Sequence, residues 1–166
     1  MFEKVSSLIS QYESQIAIYR EMLTVAREQQ QLCTEADFTG EENLEKFNRL
    51  LLKRQKLMDL IEENQSEVLA LKKSLRLSLG LEEISGDALA GHASFNEIRK
   101  LLEAEREIIF LLQKISALDS RTQELFQSGL DRLKQGIEKI QRNKKANRAY
   151  NPAGRQREGF FLDRSE

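Results

Sequence analysis

From the first residues onward, apolar side chains recur at alternating intervals of three and four. Phe2, Val5, Ile9, Tyr12, Ile16, Tyr19, Leu23 and Ala26 make an unbroken seam, the spacing that gathers side chains on one helix face against a partner helix. Gln30 and Cys33 take its next two positions with less apolar character. The pattern predicts a helix over 2–36. Asp37-Phe38-Thr39-Gly40 breaks it, and Thr39 stands three residues before Glu42, the capping-box spacing that restarts a helix. A second seam, Phe47, Leu50, Arg54, Leu57, Ile61, Asn64, Val68, Leu71 and Leu75, predicts a helix over 41–79. With so short a join, the two helices form an antiparallel hairpin, residues 1–79. Arg54 and Asn64 lie inside the seam, where polar residues set register or snorkel at its edge.

Residues 80–94 read as an irregular link. Gly80, Gly86 and Gly91 fall close together and forbid a stable continuous helix. Gly80 has the position of a helix C-cap, and Ser94, with Glu97 three residues on, that of an N-cap. A third long helix follows over 95–145, on the seam Ile98, Leu101, Glu105, Ile108, Leu112, Ile115, then Thr122, Phe126, Leu133 and Ile140. The run from Ile108 to Leu112 is expected to pack on the hairpin. Asp119, Gly129 and Gly136 interrupt the later half, and each helix glycine costs roughly 0.5–1 kcal/mol relative to alanine. That half therefore needs either packing on the hairpin or a partner to stay ordered. The fold class expected is all-α: a long helical hairpin, a third long helix in a coiled-coil-like bundle, and a flexible basic and aromatic tail over 146–166.

Composition narrows the function. The 166 residues carry 26 Lys and Arg against 27 Asp and Glu, a net charge of −1, which argues against a globally basic nucleic-acid binder. One cysteine, Cys33, excludes an intramolecular disulfide and fits a reducing compartment. One histidine, His92, excludes a His-rich metal site. No phosphate-binding glycine motif occurs. Cys33 sits on a seam, as a small buried thiol would, and His92 in a Gly/Ala loop faces solvent, so the pair makes no nucleophile and base. Carboxylates such as Glu62 and Glu63 fall on helix faces near Lys and Arg. Neither an enzyme nor a cofactor or metal site is expected. The start of the chain, Met1 to Ser7, is charged and periodic rather than signal-like, and no apolar run is long enough to span a bilayer. A cytoplasmic protein without membrane insertion is expected.

The end of the chain changes character. Residues 141–166 hold seven basic against three acidic side chains, a local charge of +4. Asn151-Pro152-Ala153-Gly154 reads as a turn, and Phe160-Phe161-Leu162 is an apolar cluster in a polar tail. From the weak seam, the positive charge and the aromatics, the stretch 126–161 is read as the partner-binding end. Its anchors are Phe126, Leu130, Leu133, Ile137, Ile140, Tyr150, Phe160 and Phe161.

Several landmarks fall in order: a helical hairpin, Leu79-Gly80-Leu81, a short link, Ser94-Phe95-Asn96-Glu97-Ile98 opening a long helix, Leu118 with Thr122-Gln123-Glu124-Leu125-Phe126 and Leu130, and Ala149-Tyr150-Asn151-Pro152-Ala153-Gly154. This order resembles the FlgN-like flagellar synthesis chaperones, with their Leu-Gly-Leu-like break, Asn-x-x-Leu-Leu-like helix and Tyr-x-x-x-Gly-like tail. Thr122 stands where that family often has Asn, and Phe126 stands for the second Leu. The resemblance implies a cytosolic type III export chaperone that binds hook-associated (hook–filament junction) proteins, keeps them from premature assembly and escorts them to the export gate and ATPase. Two other readings stay open on the residues: a structural coiled-coil homo-oligomer, and a nucleic-acid contact through the tail, which the overall acidity disfavours.

Overall fold

The structure is a computed structural model that describes residues 2–35, 40–84, 86–89 and 91–150. It contains helices α1 (Phe2–Glu35), α2 (Glu41–Leu79), α3 (Gly86–Leu89) and α4 (Phe95–Tyr150), and no strand among the described residues. The chain divides into two units, Met1–Phe126 and Gln127–Glu166. The first holds α1, α2, α3 and α4 as far as Phe126. The all-α hairpin and third helix expected from the heptad spacing are the observed architecture. The expected tail lies, beyond Tyr150, outside the described residues.

Helix ends follow local chemistry. Gly80 closes α2 in the left-handed region, φ +65°, where it accommodates the Leu81 N–H donating to Arg76 O at 3.1 Å. Ser94 and Glu97 cap α4 reciprocally: the Ser94 N–H and Oγ donate to Glu97 Oε2 at 2.9 and 2.7 Å, and the Glu97 N–H donates to Ser94 Oγ at 3.3 Å. At α2 the expected capping residue, Thr39, lies outside the described residues; the N-cap is Gly40, with no side-chain cap, and Glu42 pairs with Lys46 at 2.7 Å. Helix α4 runs five residues past its expected end at 145, since no breaker precedes Pro152, which restricts only the residue before it.

In the first unit α1 and α2 are antiparallel. Lys4, near the start of α1, donates to Ser74 and Ser78, near the end of α2, at 2.8 and 2.9 Å. Lys53 and Glu21 pair at 3.1 Å nearer the hairpin turn. Helix α4 runs parallel to α1: Tyr12 reaches Glu105, and Gln29 shares Arg54 with Asp119. Every α2 seam position is buried or half-buried. Helix α1 buries more than its seam. A third column, Leu8, Gln15, Met22 and Gln29, recurs every seven residues and is buried too, because α1 faces both α2 and α4 and needs a broader stripe. On α4 the buried column is Ala104, Leu111 and, in part, Leu118, rather than Glu105 and Leu112. This corrects the expected packing of Ile108 to Leu112. Leu111 is buried and Ile108 half-buried, while Ile109, Phe110 and Leu112 face solvent, since a helix turns 100° per residue and five consecutive side chains cannot share one face.

Two polar clusters each join all three long helices. Toward the starts of α1 and α4, the Tyr12 hydroxyl donates to Glu105 Oε1 at 3.1 Å, Lys72 pairs with the same oxygen at 3.7 Å, and the Lys72 ammonium stands 5.5 Å from the Tyr12 ring centre. Toward the hairpin turn, the Arg54 guanidinium donates to both carboxylate oxygens of Asp119 and to Gln29 Oε1 at 3.1 Å. Between them, Asn64 donates to Gln11 Oε1 and Gln11 O at 2.7 and 3.3 Å, and Gln11 donates to Glu67 at 2.6 Å. The two polar interruptions of the second seam thus fix register, as expected.

Candidate partner-binding site

The second unit is described as far as Tyr150. Leu130, Leu133, Ile137 and Ile140 are separated by three, four and three residues, so they share one α4 face. Every one is exposed, from 38 % at Leu133 to 57 % at Ile140. Such a row, on a helix whose other faces carry Arg132, Lys134, Lys139 and Arg142, is the amphipathic pattern that seats in a partner's groove. Its ion pairs are local: Arg142 meets Glu138 at 3.4 Å one turn back. Gly136 is exposed, with open space where a Cβ would stand, so it makes no close approach. The glycines do not interrupt the helix.

Of the other expected anchors, only Phe126 has a described side chain. Phe126 belongs to the first unit, where its ring stacks on Phe47 with centres 5.9 Å apart. Thr122, at the position where the resemblance implies Asn, donates to Leu118 O at 2.8 Å, a bond within its own helix. Tyr150 is the last residue of α4, and its side chain lies outside the description, as do Phe160 and Phe161.

Cys33 is buried, and burial raises its thiol pKa, which keeps it protonated and unreactive at neutral pH. His92 follows α3 and is half-buried rather than solvent-facing as expected; its backbone N–H donates to Leu89 O at 2.8 Å and ties the turn back to α3. Cys33 lies in the last turn of α1 and His92 precedes α4, so the parallel course of these helices separates the two residues. Among the described residues, no group of three His, Cys, Asp or Glu is placed to hold a metal ion, and no helix is long and apolar enough to cross a membrane.

The reading of the sequence missed a second apolar feature. Helices α2 and α4 leave a groove floored by Tyr12, Gln15, Tyr19 and Met22 of α1. Two adjoining sections, about 470 and 380 Å³, share Tyr19, Gln65 and Leu112. Exposed Met58, Leu69, Ile109 and Leu112 edge it. The signal available was the run Ile108 to Leu112, too long for a single buried face.

The family model for FlgN protein matches residues 1–158 of the chain. Comparison with curated proteins and with solved structures found no match.

Proposed function

Starting from the chain's membership of the FlgN family of flagellar export chaperones, shown by the match over residues 1–158, we propose that it binds hook-associated proteins before their export. Chaperone work in flagellar assembly belongs to the family as a whole, which is not a family of enzymes; the particular cargo and its binding face are the proposal. Cargo seats on the α4 face of Leu130, Leu133, Ile137 and Ile140, with Tyr150, Phe160 and Phe161 as further anchors. The chaperone acts in the cytoplasm, keeps its cargo from assembling prematurely, and hands it to the export gate and ATPase. The observation that carries this reading is the exposed row itself: four aliphatic side chains, each at least 38 % exposed, on a stretch of α4 whose other faces, over 127–145, hold polar residues and glycine. Seating such a row removes roughly 1.5–3 kcal/mol worth of apolar surface per fully covered side chain from water. The basic residues after Gln141 steer acidic cargo and make association salt-sensitive.

A chain ending after Gln141, and a second variant with Leu133→Asp and Ile137→Asp, test it. Both are expected to keep the helicity of the first unit and to lose a hook-associated protein in pull-down. If both bind as the full chain does, the cargo face lies elsewhere. If the full chain ignores cargo and sediments as a stable elongated homo-oligomer that the double substitution dissolves, the row is a self-association seam.

A further inference from the structure

We propose that the groove between α2 and α4 is a second interaction site, and that it takes a basic amphipathic helix of a partner protein. The first unit presents three sides of a four-helix arrangement: α1 as the floor, α2 and α4 as the walls, and an open fourth corner. Four-helix bundles close such a corner with one more helix whose apolar stripe meets the others. The groove's dimensions set the length of the guest. The Lys72–Glu105 pair stands at one end and the Arg54–Asp119 pair at the other. Eighteen residues of α2 separate Arg54 from Lys72, about 27 Å of helix at ~1.5 Å per residue. A guest of about five turns fills it.

The chemistry of the mouth chooses the guest's charge. Both basic residues of the groove, Arg54 and Lys72, are already neutralised by Asp119 and Glu105. Asp59 and Glu62 remain. Both are exposed on the α2 wall; Asp59 accepts only a neutral hydrogen bond, from Gln55 at 2.8 Å, and Glu62 forms no ion pair among the described residues. The groove therefore carries two uncompensated negative charges one turn apart, beside Met58, Leu69, Ile109 and Leu112, which are 43–59 % exposed. An acidic helix would place like charges together, and a neutral one would leave the two carboxylates uncompensated, whereas a helix with Lys or Arg flanking its apolar stripe matches both features. This site involves none of the row from Leu130 to Ile140 and stands whether or not that row binds cargo.

The test uses the full chain and a labelled synthetic helix of about five turns, Leu on one face and Lys on the other. Partner probes have Glu in place of Lys, or the same residues scrambled. Anisotropy is expected to show the Lys peptide binding about tenfold or more tighter than either control. Met58→Gln with Leu112→Gln, both exposed positions whose substitution leaves the core intact, is expected to weaken it about tenfold. Asp59→Asn with Glu62→Gln should weaken it and flatten its salt dependence. Leu133→Asp with Ile137→Asp should leave it unchanged. Equal binding of the Lys and Glu peptides overturns the proposal, as does indifference to the groove substitutions or absence of binding. Tighter binding by the Leu133→Asp/Ile137→Asp variant would mean that the row of this chain or of a second copy already fills the groove, and overturns it equally.

Discussion

Arg54 on α2 and Asp119 on α4 meet as a two-pronged ion pair, with both carboxylate oxygens accepting from the guanidinium and Gln29 of α1 accepting a third bond. The pair joins all three long helices at one level and fixes their relative register. Its side chains are 21 % and 38 % exposed, so solvent screens it and its worth is that of a partly buried pair. We expect Asp119→Ala and Arg54→Ala each to destabilise the first unit by ~1–2 kcal/mol. A double-mutant cycle by urea unfolding should give a coupling of about 0.5 kcal/mol or more. Strictly additive losses would show that the pair contributes nothing of its own.

Asn64 offers the opposite expectation. It is 8 % exposed in the α1–α2 seam, its amide nitrogen donates to Gln11, and its Oδ1 accepts no hydrogen bond among the described residues. A buried acceptor left unpaired costs ~1–3 kcal/mol. Asn64→Leu removes that cost and adds apolar contact, while Gln11, half-buried, keeps its bond to Glu67 and turns its freed Oε1 to water. The variant is expected to unfold at a higher urea midpoint than the parent. A lower midpoint would mean that the bond to Gln11 outweighs the orphaned oxygen.

The long helices and their seams were legible because a three–four repeat sustained for many turns has one physical reading. What escaped was the number of partners each helix has. A seam drawn as two columns assumes one neighbour, yet α1 has two, and the column Leu8, Gln15, Met22 and Gln29 was in the sequence at its seven-residue interval. On α4 the choice between Ala104/Leu111 and Glu105/Leu112 could not be made from periodicity, since both columns keep the heptad; packing places the small Ala104 inward and leaves Glu105 to meet Tyr12 and Lys72. The row at Leu130 to Ile140 was legible as a candidate, being apolar on one face only. The groove was not, because an open corner is a property of three helices together.

Two glycines of the same composition should respond with opposite sign. Gly80 has φ +65° and open space where its Cβ would stand, so Gly80→Ala meets no clash and its cost is conformational alone, ~1–2 kcal/mol. Gly136 lies in mid-helix, exposed, also in open space. Gly136→Ala should gain helix propensity, ~1 kcal/mol, and raise the helical circular dichroism signal. A gain at Gly80, or a loss at Gly136, would contradict these backbone assignments.

The cluster of Tyr12, Lys72 and Glu105 makes a prediction in alkali. Burial raises the Tyr12 pKa above its ordinary 10.0, with the Lys72 ammonium opposing and Glu105 reinforcing the rise. Burial by itself would lower Lys72, but the Tyr12 hydroxyl and Glu105 together outweigh it, and its pKa is raised from 10.5. Burial raises Tyr19 as well. All three groups hold their protons more tightly in the folded chain than in the unfolded one. Their contribution is complete below pH 10.0, the ordinary tyrosine value, and declines as pH climbs from there through the raised folded values, because the unfolded chain sheds protons first. Unfolding free energy is therefore expected to change little from these groups near neutrality and to fall above pH 10.0. Tyr12→Phe deletes the hydroxyl that donates to Glu105, so it should cost ~1 kcal/mol at neutral pH and leave a shallower alkaline decline than the parent. Tyr19→Phe removes a group whose rise comes from burial alone, and should flatten the decline without disturbing Lys72. Urea unfolding at a series of alkaline pH values measures all three slopes. Identical slopes for the parent and Tyr12→Phe would show that the hydroxyl titrates alike in the folded and unfolded chains, and that the polar cluster does not hold its proton.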